Sequence, residues 1–174
     1  MKKRVFLTSI ITIAVLVACC LLLIIPGQFA TIGRGYSGYE VIFHCSMVDG
    51  INYLAKNNPD TRASVSGILG LIFILFAFVS SLFSIKLIKK NTALPILSGA
   101  LTFIAGIMFI SMELSMNVIY KGKAQLGFVT YLIGGLLLFF GALLIVLGIF
   151  LVKEEAKSYT ASKQYSYIKS NKQK

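Results

Sequence analysis

Acidic side chains are scarce in this chain. Its 174 residues include six Asp and Glu against seventeen Lys and Arg, with one histidine and three cysteines. These shortages remove several classes of chemistry. No two carboxylates share a helical face, and neither GxSxG, HExxH nor a phosphate-cradling glycine loop occurs. The lone His44 stands with Glu40 and Asp49 at loose spacing in a loop, and there is no CxxC, so no metal-ligand pattern is present. Cys19 and Cys20 are adjacent inside an apolar run, while Cys45 lies in a loop, which gives no disulfide framework. The sequence implies no catalytic activity, no cofactor and no metal.

Apolar surface is what the chain has in excess. Hydrophobic residues make up 57%, and the mean hydropathy is +0.85. A soluble domain of this size cannot hide so much apolar area, whereas a bilayer solvates it. A membrane-spanning helix needs about 20 predominantly apolar residues. Four segments qualify: residues 5–25, 65–88, 94–119 and 126–152. Pro26-Gly27 ends the first, and Asn91-Thr92 with Pro95 marks a tight turn between the second and third. The expected fold is an all-α, four-transmembrane-helix bundle.

Basic residues give the orientation. Twelve of the seventeen lie in residues 2–4, 86–90 and the tail, and five lie in the loops on the other side. That asymmetry predicts both termini in the cytoplasm of a cell-membrane protein. The net charge of +11 is a topology signal, and no stretch interleaves basic and aromatic residues as a nucleic-acid platform does. The partners implied are the lipid bilayer and a membrane protein or second copy of the chain, with no nucleic acid. A competing reading attaches to the first span. Lys2-Lys3-Arg4, an apolar run and then Leu16-Val17-Ala18-Cys19 also read as a lipoprotein signal, with Cys19 as the lipidated residue. The run continues to Ile25, a full bilayer width, whereas signal cores are usually ~7–15 residues long.

The outer loop, residues 26–64, is turn-rich around Gly33, Gly35 and Gly38. Phe43, Met47, Ile51 and Leu54 then recur at helical spacing, predicting a short amphipathic helix on the membrane face. Asp60 or Thr61 is the expected cap of the second span. Residues 153–174, polar and rich in lysine and serine, read as a disordered tail.

Small residues repeat every seven positions in three spans. The sets are Gly127, Gly134, Gly141 and Gly148; Ala63, Gly70, Ala77 and Ser84; and Gly99 and Gly106, followed by Glu113 and Tyr120. Seven residues is nearly two helical turns, so each set forms one stripe. Such stripes let membrane helices approach closely and favour a left-handed crossing near ~+20°. Thr8, Thr12 and Cys19 lie on one face of the first span.

Glu113 is the one carboxylate within a predicted span. At 100° per residue, Gly99, Thr102, Gly106, Asn117 and Tyr120 fall within about 40° of it. The candidate polar site is therefore Glu113, Thr102, Asn117 and Tyr120. It reads either as a proton or cation site or as an interhelical hydrogen bond that fixes register.

The layout of long first loop, tiny inner turn and short last loop resembles tetraspan proteins of the claudin type, in topology. The claudin loop signature needs tryptophans and a cysteine pair, whereas this chain has no tryptophan and one loop cysteine. The phrase SGYEVIF, residues 37–43, resembles small uncharacterised four-span membrane proteins of low-GC bacteria. That resemblance implies a bacterial cell-membrane protein and no particular activity. Small multidrug transporters also have four spans, but the resemblance there implies a glutamate in the first span, which here has no acid. Two functions are expected on this reading. The first is a non-enzymatic scaffold or accessory subunit acting through its glycine faces and outer loop. The alternative is a small transporter or transporter subunit using Glu113.

Overall fold

The computed structural model describes residues 2–25, 30–32, 34–43, 64–87, 91–114 and 125–171. In chain order the elements are α1 (Lys2–Leu22), β1 (Ala30–Ile32), β2 (Arg34–Tyr36), α2 (Gly38–Phe43), α3 (Val65–Leu87), α4 (Leu94–Ile110), β3 (Gln125–Leu126) and α5 (Phe128–Asn171). Helices α1, α3, α4 and α5 are each long and apolar enough to cross a membrane. The chain is a multi-pass membrane protein built as a four-helix bundle.

Helix boundaries follow local chemistry. Ser64 caps α3, its hydroxyl accepting the Gly67 amide at 3.2 Å. This is the cap that the sequence reading assigned to Asp60 or Thr61, both outside the described residues. Before α4, the Asn91 side chain accepts the Ala93 amide at 3.0 Å, and Pro95 occupies the first turn, where a missing N–H costs nothing. Helix α4 breaks at Ser111, whose hydroxyl donates back to the Met108 carbonyl at 3.0 Å. A last helical turn then carries Met112 to Leu114.

The interior mixes large apolar side chains such as Leu16, Phe109, Ile133 and Leu137 with small and polar ones. The latter include Ser81, Ser84, Ala77, Gly99 and Ala105, while Leu75, Phe76, Phe83 and Phe139 face outward. The closest pair is α4 with α5. A Cβ placed on Gly141 would lie 2.6 Å from the Phe103 amide nitrogen, and one on Gly99 would lie 2.8 Å from the Gly141 carbonyl oxygen. Gly106 meets Gly134 in the same way one heptad along, and Gly148 abuts Ile96. The expected glycine stripes of the third and fourth spans therefore interlock with each other, backbone against backbone. Gly127 lies just before α5, where its carbonyl accepts the Thr130 amide at 3.1 Å. In α3, Gly70 seats the ring of Phe109, and Ala77 and Ser84 are fully buried.

Two elements differ from the sequence reading. The all-α bundle carries one small addition: short segments of the first and last loops form an antiparallel sheet in the order β2-β1-β3, so that these loops are joined. The tail, expected to be disordered, continues α5 as helix through Asn171. At ~1.5 Å per residue those 44 residues span roughly 66 Å, about twice the hydrocarbon thickness of a bilayer. No Gly or Pro follows Gly148, so nothing in the sequence stops the helix once it leaves the apolar zone.

Candidate functional site

Above the end of the bundle that carries the sheet, residues 37–43 form a short capped helix. The sequence Ser37-Gly-Tyr-Glu40 is a capping box. The Ser37 amide and hydroxyl donate to Glu40 Oε2 at 2.8 and 2.9 Å, and the Glu40 amide donates to Ser37 Oγ at 3.4 Å. The arrangement is buried, which spares the amides at the helix start from going unpaired. The same helix is tied to the end of α1, because the Gly38 and Tyr39 amides donate to the Leu23 carbonyl at 2.9 and 3.3 Å. Gly38 is required there: a Cβ would sit 2.6 Å from Leu23 Cδ2 and 3.1 Å from Leu23 Cα. Ile42 is buried against Gly67 of α3, beside Met112. One short helix thus seals the meeting point of α1, α3 and the last turn after α4.

Outward from this seal, Tyr39 and Phe43 stack with ring centroids 5.9 Å apart, and half of the Phe43 surface stays exposed. Leu114 and Phe128 are also exposed near this end of the bundle. The amphipathic helix expected from Phe43, Met47, Ile51 and Leu54 lies beyond Phe43 outside the described residues, as do His44, Cys45 and Asp49. The Glu40 carboxylate belongs to the cap.

Glu113 is half-buried in the last turn after the break at Ser111. The Tyr131 hydroxyl, in the first turn of α5, donates to Glu113 Oε2. The bond joins the ends of the third and fourth spans. Thr102 is not part of it. Its hydroxyl donates to the Ser98 carbonyl at 2.8 Å, and it sits roughly 16 Å lower along the helix. Asn117 and Tyr120 lie outside the described residues. Among the described residues, Glu113 therefore pairs with Tyr131, and Thr102 lies apart from it. Tyr131 follows Thr130 in an otherwise apolar run, and its place opposite the end of α4 is what selects it.

A second polar group occupies the opposite half of the bundle. Ser81 of α3 and Ser98 of α4 hydrogen-bond to each other, and both are fully buried. Thr8 and Thr12 of α1 donate to the carbonyls four residues earlier, at 2.9 and 2.8 Å. Ser9, Ser80 and Ser84 are buried, and their hydroxyls have no partner among the described residues. Of these hydroxyls, Ser81 and Ser98 are the pair that bridges two helices among the described residues.

Cys19 is fully buried in the core cluster with Leu16 and Leu23, and Cys20 is half-buried beside it. Helix α1 runs unbroken through both. A groove of about 360 Å³ between α1 and α3 is lined by Leu16, Cys20, Ile74 and Phe78 among others, an apolar wall with no ligand for a cation. Searched against known proteins, the chain matches no protein-family model and no curated protein.

Proposed function

We propose that the protein is a non-enzymatic accessory or scaffold subunit of the cell membrane, with both termini in the cytoplasm, which recognises a partner through its outer cap. The observation that carries this reading is the buried Ser37–Glu40 capping box, lashed to Leu23 and adjoined by a sheet joining both outer loops. A loop that merely connected two spans would not need an internally satisfied carboxylate, an aligned glycine and a three-stranded ladder. An ordered cap presents side chains at low conformational cost, which is what recognition rewards. The stacked Tyr39–Phe43 pair is the exposed part of that cap, of the aromatic type enriched at interfaces.

The glycine faces have a different role from the cap. Those of α4 and α5 are occupied by each other, so partner binding falls to the outer surface. The same interlock supports a left-handed bundle of fixed register in preference to a sliding seam. Transport through Glu113 is the weaker reading. The carboxylate is bonded to Tyr131 at the rim, and the buried polar side chains of the described spans include no acid.

A photo-crosslinking residue at Phe43, compared with one at the lipid-facing Phe139, tests the proposal in intact membranes. A discrete heterologous adduct at Phe43 and none at Phe139, retained in Glu113→Gln, is the expected result. Ion or proton flux in liposomes that disappears in Glu113→Gln, with no adduct at Phe43, would sink it.

A further inference from the structure

At the end of the bundle that carries the termini, the first residues of α1 and the extension of α5 bound a cleft of about 880 Å³. Its floor is apolar: Leu151 is buried, clustered with the buried Val5. Its near wall is Lys2, Lys3 and Arg4, and its far wall includes Ser158 and Tyr159. The three cations are not equivalent. Lys2 is committed to Glu155, Nζ to Oε1 at 2.7 Å, whereas Lys3 and Arg4 have no ion pair among the described residues. Glu154 borders both this cleft and a second groove, lined by Lys153 and Lys157, and has a partner of its own.

We infer that this cleft binds a phosphate group, supplied by the headgroup of an anionic phospholipid. Guanidinium and ammonium groups beside hydroxyls are the donors that phosphate oxygens take, and the guanidinium fork matches two of them at once. The Lys2–Glu155 ion pair holds the two walls together, so the remaining cations stay within reach of one anion. Position selects the source. The cleft opens where the apolar spans give way to charge, with Leu151 at its base and the exposed Phe6 and Leu7 just inside α1. A lipid entering here keeps its acyl chains against apolar helix surface while its phosphate meets Lys3 and Arg4. A volume of this size is within the range of small-molecule sites, roughly 300–1,000 Å³.

Native mass spectrometry of the detergent-solubilised full chain tests the site, with phosphatidylglycerol and phosphatidylcholine as probes and inorganic phosphate as competitor. Wild type should retain phosphatidylglycerol in preference to phosphatidylcholine. Removal of each cation, Lys3→Gln or Arg4→Gln, should weaken retention roughly fivefold. Ser158→Trp fills the cleft while keeping every charge, and it should abolish the preference even if loss of the cations disturbs insertion. Lys153→Gln and Lys157→Gln, made singly, each remove the same charge outside the cleft and should leave retention unchanged. Equal losses from charges removed inside and outside the cleft, or full retention in Ser158→Trp, would overturn the site in favour of diffuse surface charge. Displacement by millimolar inorganic phosphate would overturn the lipid as its source.

Discussion

Adding one methyl group to Gly141 should be among the most costly small changes in this protein. An alanine Cβ there would lie 2.6 Å from the Phe103 nitrogen, 2.8 Å from its Cα and 2.9 Å from the Gly99 oxygen. The nearest of these is about 0.8 Å inside the point where ordinary van der Waals contact begins. All three are backbone atoms, so no rotamer change relieves them, and α4 must move away from α5. A gap of ~0.5–1 Å forfeits a quarter to a half of each dispersion well along the seam. Overpacking of this kind typically costs ~1–3 kcal/mol, and the backbone location argues for the upper part of that range. Gly135, one residue from the seam, is the control, because a Cβ there meets nothing within 4 Å. Gly135→Ala should be neutral or slightly stabilising through helix propensity. Reversible unfolding in mixed micelles, followed by circular dichroism, measures both. The double variant Gly99→Ala with Gly141→Ala should cost less than the sum, since one helix displacement accommodates both methyls. Equal stability of Gly141→Ala and Gly135→Ala would refute the interlocked seam.

Other perturbations separate the remaining interactions. Tyr131→Phe should lower stability in the same unfolding assay by deleting the hydrogen bond to Glu113, whereas Glu113→Gln, whose amide oxygen still accepts from the Tyr131 hydroxyl, should lower it less; equal losses would contradict the pair. Glu40→Ala should destabilise by about 1–2 kcal/mol by opening the capping box, with faster proteolysis of the segment between the first two spans; unchanged proteolysis would contradict the cap. Ser81→Ala or Ser98→Ala leaves a buried hydroxyl without its partner at a cost of roughly 1–2 kcal/mol, whereas the double alanine should recover most of it. Ser84→Ala, which removes a buried hydroxyl with no partner, should be neutral or stabilising, and a loss above ~1 kcal/mol would reveal a hidden bond.

Legibility in the sequence tracked the range of the interaction. Four spans and their small-residue stripes follow from length and a seven-residue period, signals carried within one helix, and the stripes of α4 and α5 are those that interlock. Ser37-x-x-Glu40 was also readable, as a capping box of four residues, although a six-residue helix offers too little periodicity to draw attention to it. The sheet was not readable. Its strands are two or three residues long, too short for alternation to register, and β3 joins β1 across more than half of the chain. Tyr131 was hidden for a related reason, since its partner is eighteen residues away on another helix. In the tail, polarity reads as disorder, but the unbroken run without Gly or Pro after Gly148 was the stronger signal, and the helix follows it.

The pairing of Ala30 with Leu126 and of Thr31 with Gln125 has a consequence in time as well as in space. During synthesis β1 emerges before the second span, and its partner strand is made only after the third. The β1–β2 hairpin can close at once, whereas β1 waits for β3 through the insertion of two helices. The ladder is completed only when the start of α5 reaches the same face of the membrane, since a single residue, Gly127, separates β3 from that helix. Closure of the sheet therefore marks a chain whose last helix has arrived in the correct direction, and a chain inserted with that helix reversed would leave β1 unpaired on this edge.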